Sequence, residues 1–277
     1  MLLATAGCGG RGNDIHMEGS DTMVNVAQAW AEKYHAAKPD ASVQVLGGGS
    51  GIGIASLIDG NCDMANASRK MEEKELQRLK AKRGVEAKEH VVGYDALAIY
   101  VHKKNPLESI SIEELADIYG NGGKTTKWSE LGVDDKVLGT DKITLVGRQN
   151  SSGTYAYFRE AVLGKGRDYR LDTINQSGSV DVVALVANTP GAIGYSGMGY
   201  ATPGVKMLKI SKKKGEPGVA PTVENAKQQL YPITRPLLVY TAGEPEGKVK
   251  TFLDWILGKP GQAIIVELGY VPVGTHE

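Results

Sequence analysis

The chain has 277 residues, with 32 Lys and Arg balanced by 32 Asp and Glu, 41% hydrophobic residues and two cysteines. That length holds one large or two modest domains with a real core, and zero net charge removes the general electrostatic reason to bind nucleic acid or an anionic membrane surface. Charged residues at 23% and aromatics at 6% argue against disorder, and no apolar run approaches the ~20 residues that cross a bilayer.

The opening Met1-Leu2-Leu3-Ala4-Thr5-Ala6-Gly7-Cys8 and the polar, glycine-rich stretch behind it resemble the end of a bacterial lipoprotein signal, in which the cysteine is acylated. Residues 1–14 are then signal and tether, and Cys62 stands alone with no disulfide expected. From Ile15 short strands alternate with helices. A strand over 15–18 leads into a helix with Met23, Val26, Ala27, Trp30 and Tyr34 on one face, for which Ser20 or Asp21 is a candidate cap. A strand at 42–46 is broken by the run Gly47–Gly53. A helix through Leu57 and Ile58 follows, then a short strand near Asp63 and a charged helix over 72–83 stopped by Gly84.

Residues 90–101 form a long, mostly apolar strand. Ser111-x-x-Glu114 is a capping box opening a helix. A strand at 143–146 runs into Gly147-Arg148-Gln149-Asn150-Ser151-Ser152-Gly153-Thr154 and another helix. A helix over 179–187, a turn and strand at 190–195, a Lys- and Gly-rich loop over 209–221 and a strand at 234–241 follow. Two helices close the chain, the second opened by Pro260 and ended by Gly269. This alternation predicts an α/β protein with a largely parallel sheet. The two long apolar strands are candidates for crossings between two lobes, which leaves the first lobe built from both chain ends.

Three strand-to-helix loops share one design: Gly19-Ser20-Asp21-Thr22, Gly47–Gly53 and Asn150–Thr154. Each presents backbone N–H groups at a helix N-terminus together with Ser or Thr hydroxyls, a combination that binds an anion without a net-charged protein. Arg148, at a strand end, adds a cation. Nucleotide motifs fail on detail. The Gly147 to Gly153 spacing is one residue too long for a P-loop and lacks the lysine, and Gly47–Gly53 contains no G-x-G-x-x-G.

Gly-Ser-Asp-Thr-Met before a Trp-bearing helix, Gly47-Gly48-Gly49-Ser50-Gly51, Asn66-Ala67-Ser68-Arg69, the 147–154 motif and Gly191-Ala192-Ile193-Gly194-Tyr195 occur in that order. Together they resemble the phosphate-specific solute-binding proteins of bacterial ABC transporters, over residues 15–273. The resemblance implies a two-lobed periplasmic-binding-protein fold of type II, with lobe I at 15–94 and 236–277 and lobe II at 95–235. It also implies phosphate clamped in the cleft and passed to a permease pair by a monomeric, extracytoplasmic receptor, with neither cofactor nor catalysis. By that resemblance Ser20, Asp21 and Thr22 contact the anion from the first loop, Ser50 and Gly51 from the second, and Ser152, Gly153 and Thr154 from the third, with Arg148 pairing its charge and Ser68 and Arg69 lining the cleft.

The chain departs from the family twice. Some members carry an aspartate where Ser68 stands, which accepts the proton of hydrogen phosphate, and some carry one where Asn150 stands. A buried carboxylate welcomes a protonated oxyanion and repels a bare one such as sulfate, and Asp21 is the candidate to take that part; its alternative is simple helix capping. Arg69 is either a second cation in the cleft or a solvated arginine before a charged helix. The five histidines have no metal-ligand spacing. Trp30, Trp128, Trp255 and Tyr195 read as packing residues, and Lys212–Lys214 as a solvated loop. The rivals are a receptor for another oxyanion, a phosphate sensor without transport, and a phosphoryl-transfer enzyme using a loop serine, for which no base stands nearby in sequence.

Overall fold

The computed structural model describes residues 14–164 and 166–274; Cys8 lies outside them. The order of elements is β1 (Asp14–Gly19), α1 (Val24–Ala37), β2 (Ser42–Leu46), α2 (Ser50–Asp59), β3 (Met64–Ala67), α3 (Glu73–Arg83), β4 (Ala87–His102), β5 (Ser109–Ser111), α4 (Ile112–Tyr119), α5 (Asp135–Leu138), β6 (Thr144–Arg148), α6 (Gly153–Phe158), β7 (Ile174–Gln176), α7 (Ser179–Asn188), β8 (Ala192–Gly197), β9 (Val205–Met207), β10 (Lys209–Ser211), α8 (Val223–Lys227), β11 (Thr234–Ala242), α9 (Gly247–Leu257) and α10 (Lys259–Glu267).

β4 organises the rest. At 16 residues it spans about 50 Å at the usual rise per residue, enough to serve two sheets in turn. Its first half pairs antiparallel with β11, from Ala87 against Ala242 to Ala96 against Thr234. Beyond β11 lie β3, β1 and β2, the last three mutually parallel. Its second half pairs antiparallel with β8 and β9, and β8, β6 and β7 are parallel. All of these strands form one hydrogen-bonded sheet of nine, ordered β2-β1-β3-β11-β4-β8-β6-β7 with β9 also on β4.

The buried side chains nevertheless separate into two bodies. One core runs from Ala96 to Ile233, with Val271 added, and includes a stack of Phe158 and Tyr195 with ring centroids 3.9 Å apart. The others draw on residues 15–92 and 237–270. The two long strands expected to cross between lobes are β4 and β11, and the core changes hands along them. Trp30 and Trp128 are fully buried, their indole N–H groups donating to the carbonyls of Gly261 and Gly191. The capping box is formed: Ser111 Oγ accepts the Glu114 N–H and Glu114 accepts the Ser111 N–H. Helix α1 departs from expectation. Its cap is Met23, with no side-chain bond, so neither Ser20 nor Asp21 caps it.

Helix α2 packs so closely on β1 that glycine is required at its fourth residue. A Cβ on Gly53 would stand 2.2 Å from the Glu18 carbonyl oxygen and 2.6 Å from the Gly19 Cα, and a strand backbone cannot give way. Gly53→Ala is expected to destabilise the fold by about 1–3 kcal/mol, the usual cost of overpacking, as read by urea unfolding.

Candidate anion-binding site

All three loops lie at the C-terminal ends of parallel strands, where the chain turns into a helix. That geometry brings their polar side chains together while the sheet excludes water around them: Ser20, Thr22, Ser50, Ser68, Arg148, Ser152 and Thr154 are each at most 3% exposed. Ser20 Oγ donates to Ser68 Oγ at 3.0 Å, and Ser50 Oγ lies 3.4 Å from Ser68 Oγ and accepts the Ser68 N–H at 3.0 Å. Gly153, from the other lobe, presses on this cluster. A Cβ there would meet Ser50 Oγ at 2.2 Å and Ser68 Oγ at 2.6 Å, so the third loop reaches the hydroxyls only because residue 153 is glycine.

Arg148, the last residue of β6, is fully buried. Its Nη1 donates to Ser179 Oγ (3.1 Å) and its Nη2 to the Ser177 carbonyl (2.8 Å) and Asp21 Oδ2 (2.7 Å). Among the described residues its Nε–H has no acceptor. Burial pulls the guanidinium down from its ordinary value and Asp21 opposes the shift; arginine keeps its proton regardless. Asp21 in turn accepts the Gly48 N–H through Oδ1 at 2.9 Å, so it ties loop one to loop two and both to the opposite lobe. Tyr200 donates to the Asp21 carbonyl at 2.6 Å and Tyr270 to that of Thr22 at 2.8 Å, fixing the loop backbone from behind.

A second arginine joins the site from the hinge. Arg235 on β11 and Asp95 on β4 stand opposite each other in the ladder and form an ion pair at 2.8 Å with both side chains fully buried. Burial pushes the Asp95 carboxyl up and the Arg235 charge pulls it back. Arg235 Nη1 then donates to Thr154 Oγ1 (3.0 Å) and Nη2 to Thr22 Oγ1 (3.1 Å), and the two threonine oxygens are 2.9 Å apart. Sequence reading missed this pair, although Asp95 and Arg235 stand out as opposite charges inside otherwise apolar strands. Ser179, Tyr200 and Tyr270 carried no such signal.

Three expected site residues already have partners within the protein. Arg69 is no second free cation: it pairs bidentately with Glu75, Nη1 to Oε2 and Nη2 to Oε1 at 2.8 Å each, and also donates to the Lys70 carbonyl. Glu75 needs that partner because it sits in the capping box of α3, a pairing across six residues that no local pattern announces. The Gly51 N–H is spent on the Ser151 carbonyl at 3.0 Å, a contact between lobes. Ser152 is the helix cap of α6, its Oγ accepting the Thr154 and Tyr155 N–H groups at 3.1 and 3.4 Å, which leaves only its hydroxyl proton to give.

The geometry defines a buried, donor-rich cluster of hydroxyls and arginines where two α/β lobes meet, the arrangement of solute-binding receptors. The profile of the PBP superfamily domain matches residues 4–260, and the chain belongs to that superfamily. Within it the chain belongs to the phosphate-binding protein PstS family. It is 35% identical to the phosphate-binding protein PstS of Pseudomonas aeruginosa over 95% of this chain and 84% of that one. It is 36% identical to PstS of Bacillus subtilis over 94% and 80%. Among solved structures, a phosphate ABC transporter substrate-binding protein with bound phosphate from Clostridium perfringens superposes with a TM-score of 0.84 at 31% identity, over 94% of this chain and all of that one.

If Arg69 serves α3 and not the anion, Arg69→Met should lower stability by about 1–3 kcal/mol, the cost of unpairing the buried Glu75 carboxylate, while anion affinity changes by less than about threefold. Thermal unfolding and titration calorimetry on one preparation separate the two effects.

Proposed function

We propose that this protein binds inorganic phosphate between its lobes and delivers it to the membrane permease pair of an ABC transporter. The observation that carries the reading is Arg148: a fully buried guanidinium whose Nε–H has no acceptor among the described residues, set in a cluster of loop hydroxyls. An unmet charged donor in such a place is costly, and a tetrahedral oxyanion supplies the acceptor. The names of the relatives support phosphate as that anion. Contacts from both lobes favour the closed form, so binding is a population shift that a permease can sense.

Asp21 sets the selectivity. The site carries Arg148 and Arg235 against Asp21 and Asp95, so its formal charge is zero and attraction alone does not choose the ligand. A carboxylate among the donors accepts the proton that hydrogen phosphate still carries and repels an anion with none. Asp21 has no capping duty to α1, which frees it for this role.

In this reading the protein is a binder and not an enzyme, with the loop serines serving as hydrogen-bonding groups, tied to one another and to backbone groups. The lobes are 15–94 with 236–277, and 95–235, in a monomer outside the cytoplasm with Cys8 as the point of lipid attachment.

Arg148→Ala removes the buried cation and leaves the partly buried Asp21 unpaired, and should cost about 3–5 kcal/mol of binding, or more than ~100-fold in Kd, for every anion. Wild-type affinity in calorimetry would remove Arg148 from the pocket. Asp21→Asn should narrow the preference for phosphate over sulfate by about 10–100-fold; an unchanged ratio across competition titrations would end its role as proton acceptor.

A further inference from the structure

We infer that Arg235 is a positioning residue that makes Thr22 and Thr154 a single anion donor, available only when the lobes are closed. The inference rests on the receptor reading above and concerns residues of that same site. A guanidinium can only donate. Each threonine oxygen therefore has one lone pair committed to Arg235, at 3.1 Å for Thr22 and 3.0 Å for Thr154.

The two hydroxyls also contact each other at 2.9 Å, and that bond uses one of their two protons. One proton remains, on a hydroxyl chain already polarised by a buried cation, and such chains strengthen their last donor. The pair thus offers an anion one strong hydrogen bond in place of two ordinary ones.

The geometry also reports closure. Asp95 holds Arg235 by Nε at 3.1 Å and by Nη2 at 2.8 Å, and the Met198 N–H braces Asp95 from the same lobe at 3.2 Å. Tyr157 of α6 lies against the guanidinium, 5.7 Å from ring centroid to Cζ, and its hydroxyl donates to the Thr234 carbonyl at 2.7 Å. Arg235 is therefore anchored to lobe II, and Thr22 is the one of its partners that belongs to lobe I. Opening the cleft breaks the contact with Thr22 and the bond between the threonines while leaving the ion pair intact. The donor dissolves with the closed form, so Arg235 slows release of a bound anion more than it speeds capture.

The test is stopped-flow and calorimetric phosphate binding to phosphate-stripped wild type and Arg235→Lys, which keeps the charge beside Asp95 but not the fork that spans both threonines. The expected result is a Kd raised roughly 10–100-fold, the loss of a charge-assisted donor, carried by faster dissociation, with an unchanged ratio of phosphate to sulfate affinity. A merely structural role would lower the melting temperature without this split between on- and off-rates.

Wild-type dissociation in folded Arg235→Lys overturns the inference while leaving the receptor reading intact. Wild-type protein that takes up no phosphate overturns both. If the lysine variant does not fold, Thr22→Val, Thr154→Val and their double decide. Either threonine alone keeps its own proton and its bond from Arg235, so one shared donor predicts that the double loses more affinity than the product of the two singles, and losses that simply multiply overturn it.

Discussion

The ion pair between Arg148 and Asp21, 2.7 Å long and formed across the cleft from different lobes, is the contact on which the rest of the structure depends. Neither partner could sit there alone, since an unpaired buried charge costs several kcal/mol. Meeting, they draw loop one, loop two and the end of β6 into one place. The Gly48 N–H follows Asp21, and Ser177 and Ser179 follow Arg148. What results is a buried cluster of loop hydroxyls around an arginine whose charge is balanced by Asp21.

The hinge repeats this logic one layer deeper. β4 and β11 carry the fold from one core to the other, and Asp95 and Arg235 face each other where they do so. A fully buried pair adds little stability over apolar residues of similar size, so its presence in apolar strands calls for another reason. That reason is its reach to Thr22 and Thr154 on the two sides, which puts the strands that join the two cores in direct contact with the first and third loops.

The architecture was legible because it follows from short-range patterns. Apolar alternation marked β4 and β11, and Ser or Thr after a strand marked the loops of Ser20, Thr22, Ser50 and Thr154 with Arg148 beside them, while Ser68 and the meeting of these residues at one site followed only from the family resemblance. What escaped depends on contacts between residues far apart in the chain. Arg69 looked free because Glu75 joins it only after α3 forms and turns back. Asp21 stood between a proton acceptor and a helix cap, and local pattern could not choose because its partners Gly48 and Arg148 lie 27 and 127 residues away. Asp95 and Arg235, in turn, are separated by 140 residues, and only the strand register brings them face to face.

The most direct test of the account is a crystal structure of the protein with phosphate at high resolution. The account predicts one phosphate oxygen within hydrogen-bond distance of Arg148 Nε, and another facing an Asp21 carboxylate oxygen closely enough to share a proton, at about 2.5–2.7 Å. A phosphate that leaves Arg148 Nε unmet, or that holds all its oxygens away from Asp21, would contradict both the pocket and its means of selection.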